Sequence, residues 1–176
     1  MHRLPKKYYF IKNFNTTELK NINSNTAIIY RNYEKKPNIK ELLEIKKFCR
    51  GRKIKIYLSN YFQLSVQLGF DGAYIPSFNR SIKHLSYQLK DNFTILGSAH
   101  NIKEIRQKEL QKVKLIFISS IFKENKNYLG LCKFNNLVKL SNSKIIALGG
   151  INIRNIKMLS LTNCFGFAGI SYFKDK

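Results

Sequence analysis

Two short glycine-containing segments near the end of the chain could bind a phosphate group. Gly149 and Gly150 follow one apolar run, and Gly169, Ile170 and Ser171 end the next. Glycine lets backbone N–H groups approach an anion closely, and the serine hydroxyl adds a further donor. A lone glycine pair is usually only a turn, but two such turns after consecutive predicted strands favour a phosphate site.

Polar and basic side chains follow the other apolar runs, at the positions where predicted strands end. They are Arg31, Ser59, Asn60, Asn79, Ser98, His100 and Lys126. An imidazole titrates near neutral pH, which suits His100 to proton transfer, although it could instead cap the following helix or contact solvent. Arg31 could likewise be a solvated strand end, and His84 is expected at the surface.

These positions depend on an alternation of short apolar runs and amphipathic stretches that recurs about eight times. The apolar runs are residues 8–11, 27–31, 54–58, 71–75, 93–98, 115–119, 144–148 and 166–170. Near-continuous apolar runs are typical of parallel strands buried on both faces, and their alternation with helices favours a parallel sheet. The pattern predicts an α/β protein, a compact (β/α)₈ TIM barrel, with an open doubly wound sheet as the alternative.

The amphipathic stretches predict the helices of this barrel. They are residues 17–22 with Thr16 as N-cap, 39–49 ended by Gly51, 61–68 ended by Gly69, 81–90, 102–110, a helix near 134–140, and 152–161. A chain of 176 residues is short for a barrel, which typically needs about 250. We therefore expect shortened first and last helices, and one domain spanning residues 1–176.

The charge balance is strongly basic, with 32 Lys and Arg against 10 Asp and Glu, a net charge of +22. Such an excess attracts polyanions. However, the cations are spread along the chain without a basic tail or a known nucleic-acid-binding signature. Abundant Lys, Asn, Ile, Phe and Tyr favour a compositional bias, so nucleic-acid binding is kept only as an alternative function of another class.

The cysteines and the N-terminal segment indicate the compartment. Cys49, Cys132 and Cys164 are odd in number and lack C-x-x-C spacing, so we expect buried or half-buried free thiols in a reducing compartment. The sequence shows no cleavable signal pattern and no apolar run long enough to span a membrane. These features predict a cytoplasmic protein without a membrane partner.

Six segments occur in one order with compatible spacing between about residue 8 and residue 173. They are Ile29-Tyr30-Arg31, Tyr57-Leu58-Ser59-Asn60, Leu68-Gly69-Phe70-Asp71-Gly72, Leu96-Gly97-Ser98-Ala99-His100, Ala147-Leu148-Gly149-Gly150-Ile151 and Gly166-Phe167-Ala168-Gly169-Ile170-Ser171. Together they resemble the thiamine phosphate synthase/TenI family over nearly the whole chain.

The resemblance implies a (β/α)₈ barrel that joins hydroxymethylpyrimidine diphosphate to thiazole phosphate and releases diphosphate, with Mg²⁺ on the departing group. Carried over by position, Arg31 and Lys126 would contact the diphosphate, and Ser98 would lie near the pyrimidine or the leaving group. The thiazole phosphate would bind at Gly149, Gly150, Ile170 and Ser171. Arg31, Lys126 and His100 are thus the candidate catalytic residues.

The chain departs from the family pattern where the family has its metal carboxylates. Ser59-Asn60 stands in place of an Asn-Asp pair, and Asn79 stands in place of a second Asp. An amide oxygen brings no charge, so Mg²⁺ affinity should fall sharply and no metal ligand is assigned. Ser59, Asn60, Asn79 and Ser98 remain candidate substrate-binding residues. Arg80, Lys123 and Lys126 are candidates to supply the missing positive charge.

Two functions within the family are left open. The first is the synthase, a transferase. The second is a TenI-like protein, either a thiazole tautomerase, an isomerase with His100 as proton shuttle, or a non-catalytic binder of thiazole phosphate. A truncated last helix would also expose apolar barrel surface, which a second subunit could cover in a homo-oligomer.

Overall fold

Eight short strands pair in parallel in the order in which they occur along the chain. The structure, a computed structural model, describes residues 4–174. The strands are β1 (Lys7–Ile11), β2 (Thr26–Tyr30), β3 (Ile56–Ser59), β4 (Gly72–Ile75), β5 (Thr94–Ala99), β6 (Leu115–Ile118), β7 (Lys144–Leu148) and β8 (Gly166–Gly169). Each lies within or close to one of the predicted apolar runs.

The first and last strands close the sheet into a barrel. Tyr9 in β1 lies opposite Ile28 in β2 on one side and Gly169 in β8 on the other. Because every strand has two neighbours, the barrel has no free sheet edge. The prediction of a (β/α)₈ barrel is confirmed, and the open doubly wound sheet was the wrong alternative.

A helix or a helical turn follows each strand. The α-helices are α1 (Thr16–Leu19), α2 (Ile39–Gly51), α3 (Phe62–Gln67), α4 (Ile102–Leu110), α5 (Gly130–Leu140) and α6 (Ser171–Lys174), and two 3₁₀ helices cover Lys83–Ser86 and Ile156–Leu161. The first and last α-helices have four residues each, as the short chain predicts. The N-cap of α1 is Asn15, not Thr16, because the Asn15 carboxamide accepts hydrogen bonds from the N–H groups of Thr17 and Glu18.

Two predicted helices form only as shorter 3₁₀ helices. In the segment 81–90 only Lys83–Ser86 is helical, because Ile82 and Leu85 are exposed and buried His84 packs inward instead. The expectation that His84 is a surface residue was therefore wrong. In the segment 152–161, the Asn152 carboxamide accepts hydrogen bonds from the N–H groups of residues 154 and 155, and this local turn competes with a helix.

Helix ends follow the glycine pattern only in part. Gly69 adopts φ +62° just after α3, as predicted for a helix stop. Gly51 is instead the last residue of α2, and Lys53 takes the left-handed conformation at φ +56°. Helix α5 starts at Gly130, one turn earlier than its apolar spacing predicts.

Large aromatic side chains fill the barrel interior. Near the carboxyl ends of the strands, the Tyr74 ring packs edge-on against Phe10 and Phe117, at centroid distances of 5.5 and 5.4 Å. Below them Tyr8 contacts Phe117 at 4.9 Å. Because this interior is packed, a ligand must bind above it, where the strands end.

The cysteines differ in exposure. Cys49 is buried, Cys164 is half-buried, and Cys132 is exposed on α5, so the prediction of a shielded Cys132 was wrong. All three are free thiols. Within residues 4–174, no helix is both long and apolar enough to cross a membrane.

Candidate functional site at the carboxyl ends of the strands

The glycine pair after β7 adopts a backbone that other residues would disfavour. Gly149 has φ +102° and Gly150 has φ +76°. A Cβ on Gly149 would lie 2.4 Å from the Ser120 hydroxyl oxygen, and one on Gly150 would lie 2.5 Å from the Lys123 backbone nitrogen. Both conformation and space therefore require glycine at these two positions.

The two predicted glycine turns are neighbours in space. A Cβ built on Gly169 would lie 3.4 Å from the carbonyl oxygen of Ile151, the residue that follows the glycine pair. Helix α6 begins at Ser171, so its first N–H groups lie at this same end of the barrel. The structure thus brings together Gly149, Gly150, Gly169, Ile170 and Ser171.

The loop after β6 packs against the glycine pair through Lys123 rather than Lys126. The N–H groups of Phe122 and Lys123 donate to the Gly149 carbonyl at 2.9 and 3.3 Å. The Ser120 hydroxyl donates to the Lys123 carbonyl at 2.8 Å and holds the loop closed. Lys126 is exposed further along this loop. Lys123 is therefore the lysine whose backbone lies beside the glycine turn.

Arg31 lies at the mouth of the barrel, directly after β2. Its guanidinium carbon lies 4.4 Å from the centroid of the Phe10 ring, an arrangement that favours a cation–π contact. A cavity of about 380 Å³ connects Arg31 to Ile170 on the far side of β1. Arg31 and one residue of the predicted phosphate site therefore line the same cavity.

Two tyrosines lie beside the predicted serines of the site. The hydroxyls of Ser59 and Tyr33 lie 2.8 Å apart, and the Tyr33 ring packs edge-on against Phe78. Burial raises the pKa of the Tyr74 phenol, and the Ser98 side chain and Arg31 partly lower it. Tyr33 and Tyr74 are therefore site residues that the sequence pattern did not assign.

The residues at the two family metal positions contact each other. The Asn79 carboxamide nitrogen donates to Asn60 Oδ1 at 2.9 Å, and Asn79 Oδ1 accepts from the Ser81 N–H at 3.0 Å. Asn60 adopts φ +65°, which asparagine tolerates better than most residues. The structure therefore brings this predicted pair together as an amide–amide hydrogen bond.

This amide pair does not fit a resident Mg²⁺ ion. Both amide oxygens already accept hydrogen bonds, and neither carries the negative charge that Mg²⁺ ligands normally provide. Across the described part of the chain, no cluster of three or more His, Cys, Asp or Glu side chains could hold a metal ion. The magnesium that the family resemblance implies thus finds no matching donor set in these residues.

His100 is tied to the start of helix α4. Its Nδ1 lies 2.9 Å from Glu104 Oε2, and its backbone N–H donates to the same oxygen at 2.8 Å. Asn101 is the N-cap, because its carboxamide oxygen accepts from the Glu104 N–H at 3.0 Å. The His100 side chain is about one quarter exposed, so the His–Glu pair remains accessible from solvent.

Beneath the loop after β4 lies a lysine that the sequence analysis did not single out. Lys108 is fully buried on α4, and burial lowers the pKa of its ammonium group to about 8 despite nearby Glu104. The spacing did carry a signal, since Lys108 follows Ile102 and Ile105 along the inward face of α4. Lysine is rarely buried, so the residue type alone gives no reason to expect it on this inward face.

Fold and site define a class: a closed eight-stranded α/β barrel with a candidate anion site at the carboxyl ends of β2 to β4, β7 and β8. The model of the thiamine monophosphate synthase family matches residues 13–173. The chain therefore belongs to this family, as the resemblance predicted.

Relatives and solved structures agree with this assignment. The chain is 28% identical over 158 residues to a thiamine-phosphate synthase of Persephonella marina, covering 85% of this chain and 75% of the relative. It is 26% identical over 145 residues to that of Fusobacterium nucleatum, covering 80% and 70%. A thiamine phosphate pyrophosphorylase structure from Pyrococcus furiosus shares the fold, with a TM-score of 0.76 at 20% identity, covering 96% of this chain and 91% of that one.

Proposed function

We propose that the chain acts as a thiamine-phosphate synthase that joins a pyrimidine diphosphate to a thiazole phosphate and releases diphosphate. The observation that carries this proposal is the cavity that Arg31 and Ile170 line together. A cation and a residue of the predicted phosphate turn in the lining of one cavity support the binding of two anionic substrates near each other. A reaction between two phosphorylated molecules requires two such anion sites within reach of each other.

The residues divide the work between the two substrates. The backbone N–H groups of the glycine turns and the Ser171 hydroxyl bind the thiazole phosphate. Arg31 binds the diphosphate and stabilises its charge when the bond between the pyrimidine methylene carbon and the diphosphate oxygen breaks. The electron pair of that bond leaves with the diphosphate, and the thiazole nitrogen then donates its lone pair to the methylene carbon.

The test is product formation from both substrates, followed by mass spectrometry, with Mg²⁺ or with EDTA. We expect slow turnover that Mg²⁺ does not raise, because the amide pair does not fit the ion. Arg31→Met should abolish turnover, whereas Lys36→Met, at an exposed position on the chain, should not. A rate on the order of 1 s⁻¹ or more that requires Mg²⁺ would show that the reasoning about the amides is wrong. If calorimetry detects no heat when thiazole phosphate is added, the proposed function itself is wrong.

A second candidate function, isomerisation of a thiazole tautomer, is supported by the His100–Glu104 pair. A carboxylate bonded to Nδ1 fixes the imidazole tautomer and leaves Nε2 to move a proton. Under this alternative, His100→Gln abolishes isomerisation, measured by proton exchange on the thiazole, while thiazole phosphate still binds. Unchanged exchange in His100→Gln would reject the alternative.

A further inference from the structure

The buried ammonium group of Lys108 is surrounded by neutral oxygen atoms. Lys108 Nζ donates to the carbonyl oxygens of Pro76 and Asn79 and to Gln111 Oε1, each at 2.8 Å. A buried charge without an ionic partner costs several kcal/mol unless hydrogen bonds compensate for the lost hydration. Here the three N–H groups of the ammonium donate to three oxygens, so hydrogen bonds replace the water that the charged group loses on burial.

Gln111 extends the same network along the loop. Its side-chain nitrogen donates to the carbonyl oxygens of Asn79 at 3.0 Å and Ser81 at 2.8 Å. The Gln111 carbonyl lies 2.8 Å from Nε2 of buried His84. Three main-chain oxygens of the loop 76–81, those of Pro76, Asn79 and Ser81, are therefore bound from the C-terminal end of helix α4.

The loop held in this way carries one half of the amide pair. With its carbonyl bound below by Lys108, Asn79 extends its carboxamide to Asn60 Oδ1. An aspartate carboxylate at position 79 has no proton to donate in this bond at neutral pH. The amide pair and the buried lysine are thus parts of one hydrogen-bonded arrangement at the mouth of the barrel.

We propose that Lys108 is a positioning residue: from beneath the loop after β4 it holds Asn79, and through Asn79 it sets Asn60 to bind the diphosphate-bearing substrate. Asn60 then offers its carboxamide nitrogen to phosphate oxygens, a role that a carboxylate cannot fill. The identity of this ligand rests on the proposed function. The effect of Lys108 on the loop does not.

Hydrogen exchange of the loop tests the first half of the proposal without any ligand. The N–H groups of Asn79 and Ser81 are hydrogen-bonded within the loop, to the Pro76 carbonyl and to Asn79 Oδ1. Lys108→Met keeps the length of the side chain and removes its donors, and it should speed exchange in residues 76–81 about tenfold or more. Lys103→Met, on the exposed face of the same helix, is the matched control and should change nothing. Unchanged exchange in Lys108→Met would overturn the proposal.

Binding of the two substrates tests the second half. In EDTA, we expect Lys108→Met to weaken hydroxymethylpyrimidine diphosphate binding about tenfold, or ~1.4 kcal/mol, by calorimetry. Binding of thiazole phosphate at the glycine turns should stay within about twofold, since it uses β7 and β8. Equal loss of both ligands would indicate general damage and would reject a positioning role. If the wild-type chain binds neither ligand, the proposed function fails and loop exchange still decides the role of Lys108.

Two further variants keep the test decisive if Lys108→Met does not fold. Gln111→Met removes the other two bonds to the loop carbonyls and should produce the same split between the ligands. Asn79→Ala removes the carboxamide but leaves the Lys108 contacts in place. If Lys108 acts through Asn79, Lys108→Met added to Asn79→Ala causes no further loss of diphosphate-substrate binding. Additive losses would contradict this route.

Discussion

At the scale of single residues, backbone conformation and side-chain partners define the site. The glycine pair was predictable because a second glycine turn follows the next predicted strand, and two such turns together favour a phosphate site. The sequence predicts that Asn60 and Asn79 lie near each other, because both follow neighbouring strands, but it does not predict their hydrogen bond. The spacing along α4 indicates the inward position of Lys108, but its partners could not be predicted because they belong to a loop whose path no local pattern specifies.

Gly150→Ala should impair the phosphate turn. Alanine is strained at φ +76°, and its Cβ would approach the Lys123 backbone to 2.5 Å. We expect a loss of stability of about 1–3 kcal/mol together with weaker thiazole phosphate binding. Gly51→Ala is the matched control, because nothing lies within 4 Å of its Cβ position at the end of α2. Thermal unfolding and calorimetry measure both effects. Full binding by Gly150→Ala would show that the turn does not hold the phosphate.

Asn60→Asp combined with Asn79→Asp should create a response to Mg²⁺. Two carboxylates in place of side chains now 2.9 Å apart repel each other unless a cation lies between them. The double variant should therefore unfold at lower temperature than the wild type and recover in millimolar Mg²⁺, because a ligand at 100 times its Kd stabilises by about 2.7 kcal/mol. The wild type and Asn136→Asp, at an exposed position, should not respond. An equal shift in all three proteins would contradict the prediction.

At the scale of elements, periodicity predicted the strands better than the helices. All eight strands were predictable because a buried parallel strand must be apolar on both faces. The helical segments 81–90 and 152–161 were overpredicted, because three-residue apolar spacing also occurs in 3₁₀ turns, and side chains such as Asn152 bind the backbone locally. The strand pattern predicts that aromatic side chains fill the barrel interior, but it does not predict which of their hydroxyls form hydrogen bonds.

Tyr8→Phe should stabilise the barrel. The Tyr8 hydroxyl is buried without a hydrogen-bond partner among the residues that the structure describes, and an unpaired buried polar group costs about 1–3 kcal/mol. Chemical denaturation should show a gain of roughly 1 kcal/mol. Tyr74→Phe is the matched comparison within the same interior, and it should not gain stability because the Tyr74 phenol interacts with the Ser98 side chain. A loss of stability in Tyr8→Phe would mean that its hydroxyl has a partner after all.

At the scale of the whole molecule, closure of the barrel sets which surfaces reagents can reach. The eightfold alternation predicted this closure, since the strand count exceeds that of most doubly wound sheets. Exposure of individual outer side chains was less predictable, because it depends on how each short helix lies against the barrel. Cys132 illustrates the point: it lies in the first turn of α5, which begins before the predicted segment 134–140, and the outward position of its side chain was not predicted.

The three thiols should react in order of exposure. Cys132 should be alkylated in the native protein, and Cys49 only after unfolding. Burial raises the pKa of the Cys49 thiol to about 12, with Asp71 adding to the effect, so its reactive thiolate is scarce. Mass spectrometry of protein labelled with and without denaturant identifies each site. Labelling of Cys49 and Cys132 at equal rates in the native state would contradict the packing of α2 against the barrel.

The aromatic interior also has a consequence for spectroscopy. The chain has 10 tyrosines and no tryptophan, so its near-ultraviolet emission and circular dichroism arise from tyrosine, with phenylalanine adding little. Tyr74 is fully buried beneath the barrel mouth, within the electrostatic influence of Arg31, and Tyr33 is bonded to Ser59 in that mouth. An anion that binds Arg31 changes the field at two fixed phenol rings. The barrel therefore contains its own optical reporter of occupancy, and ligand titrations need no attached dye.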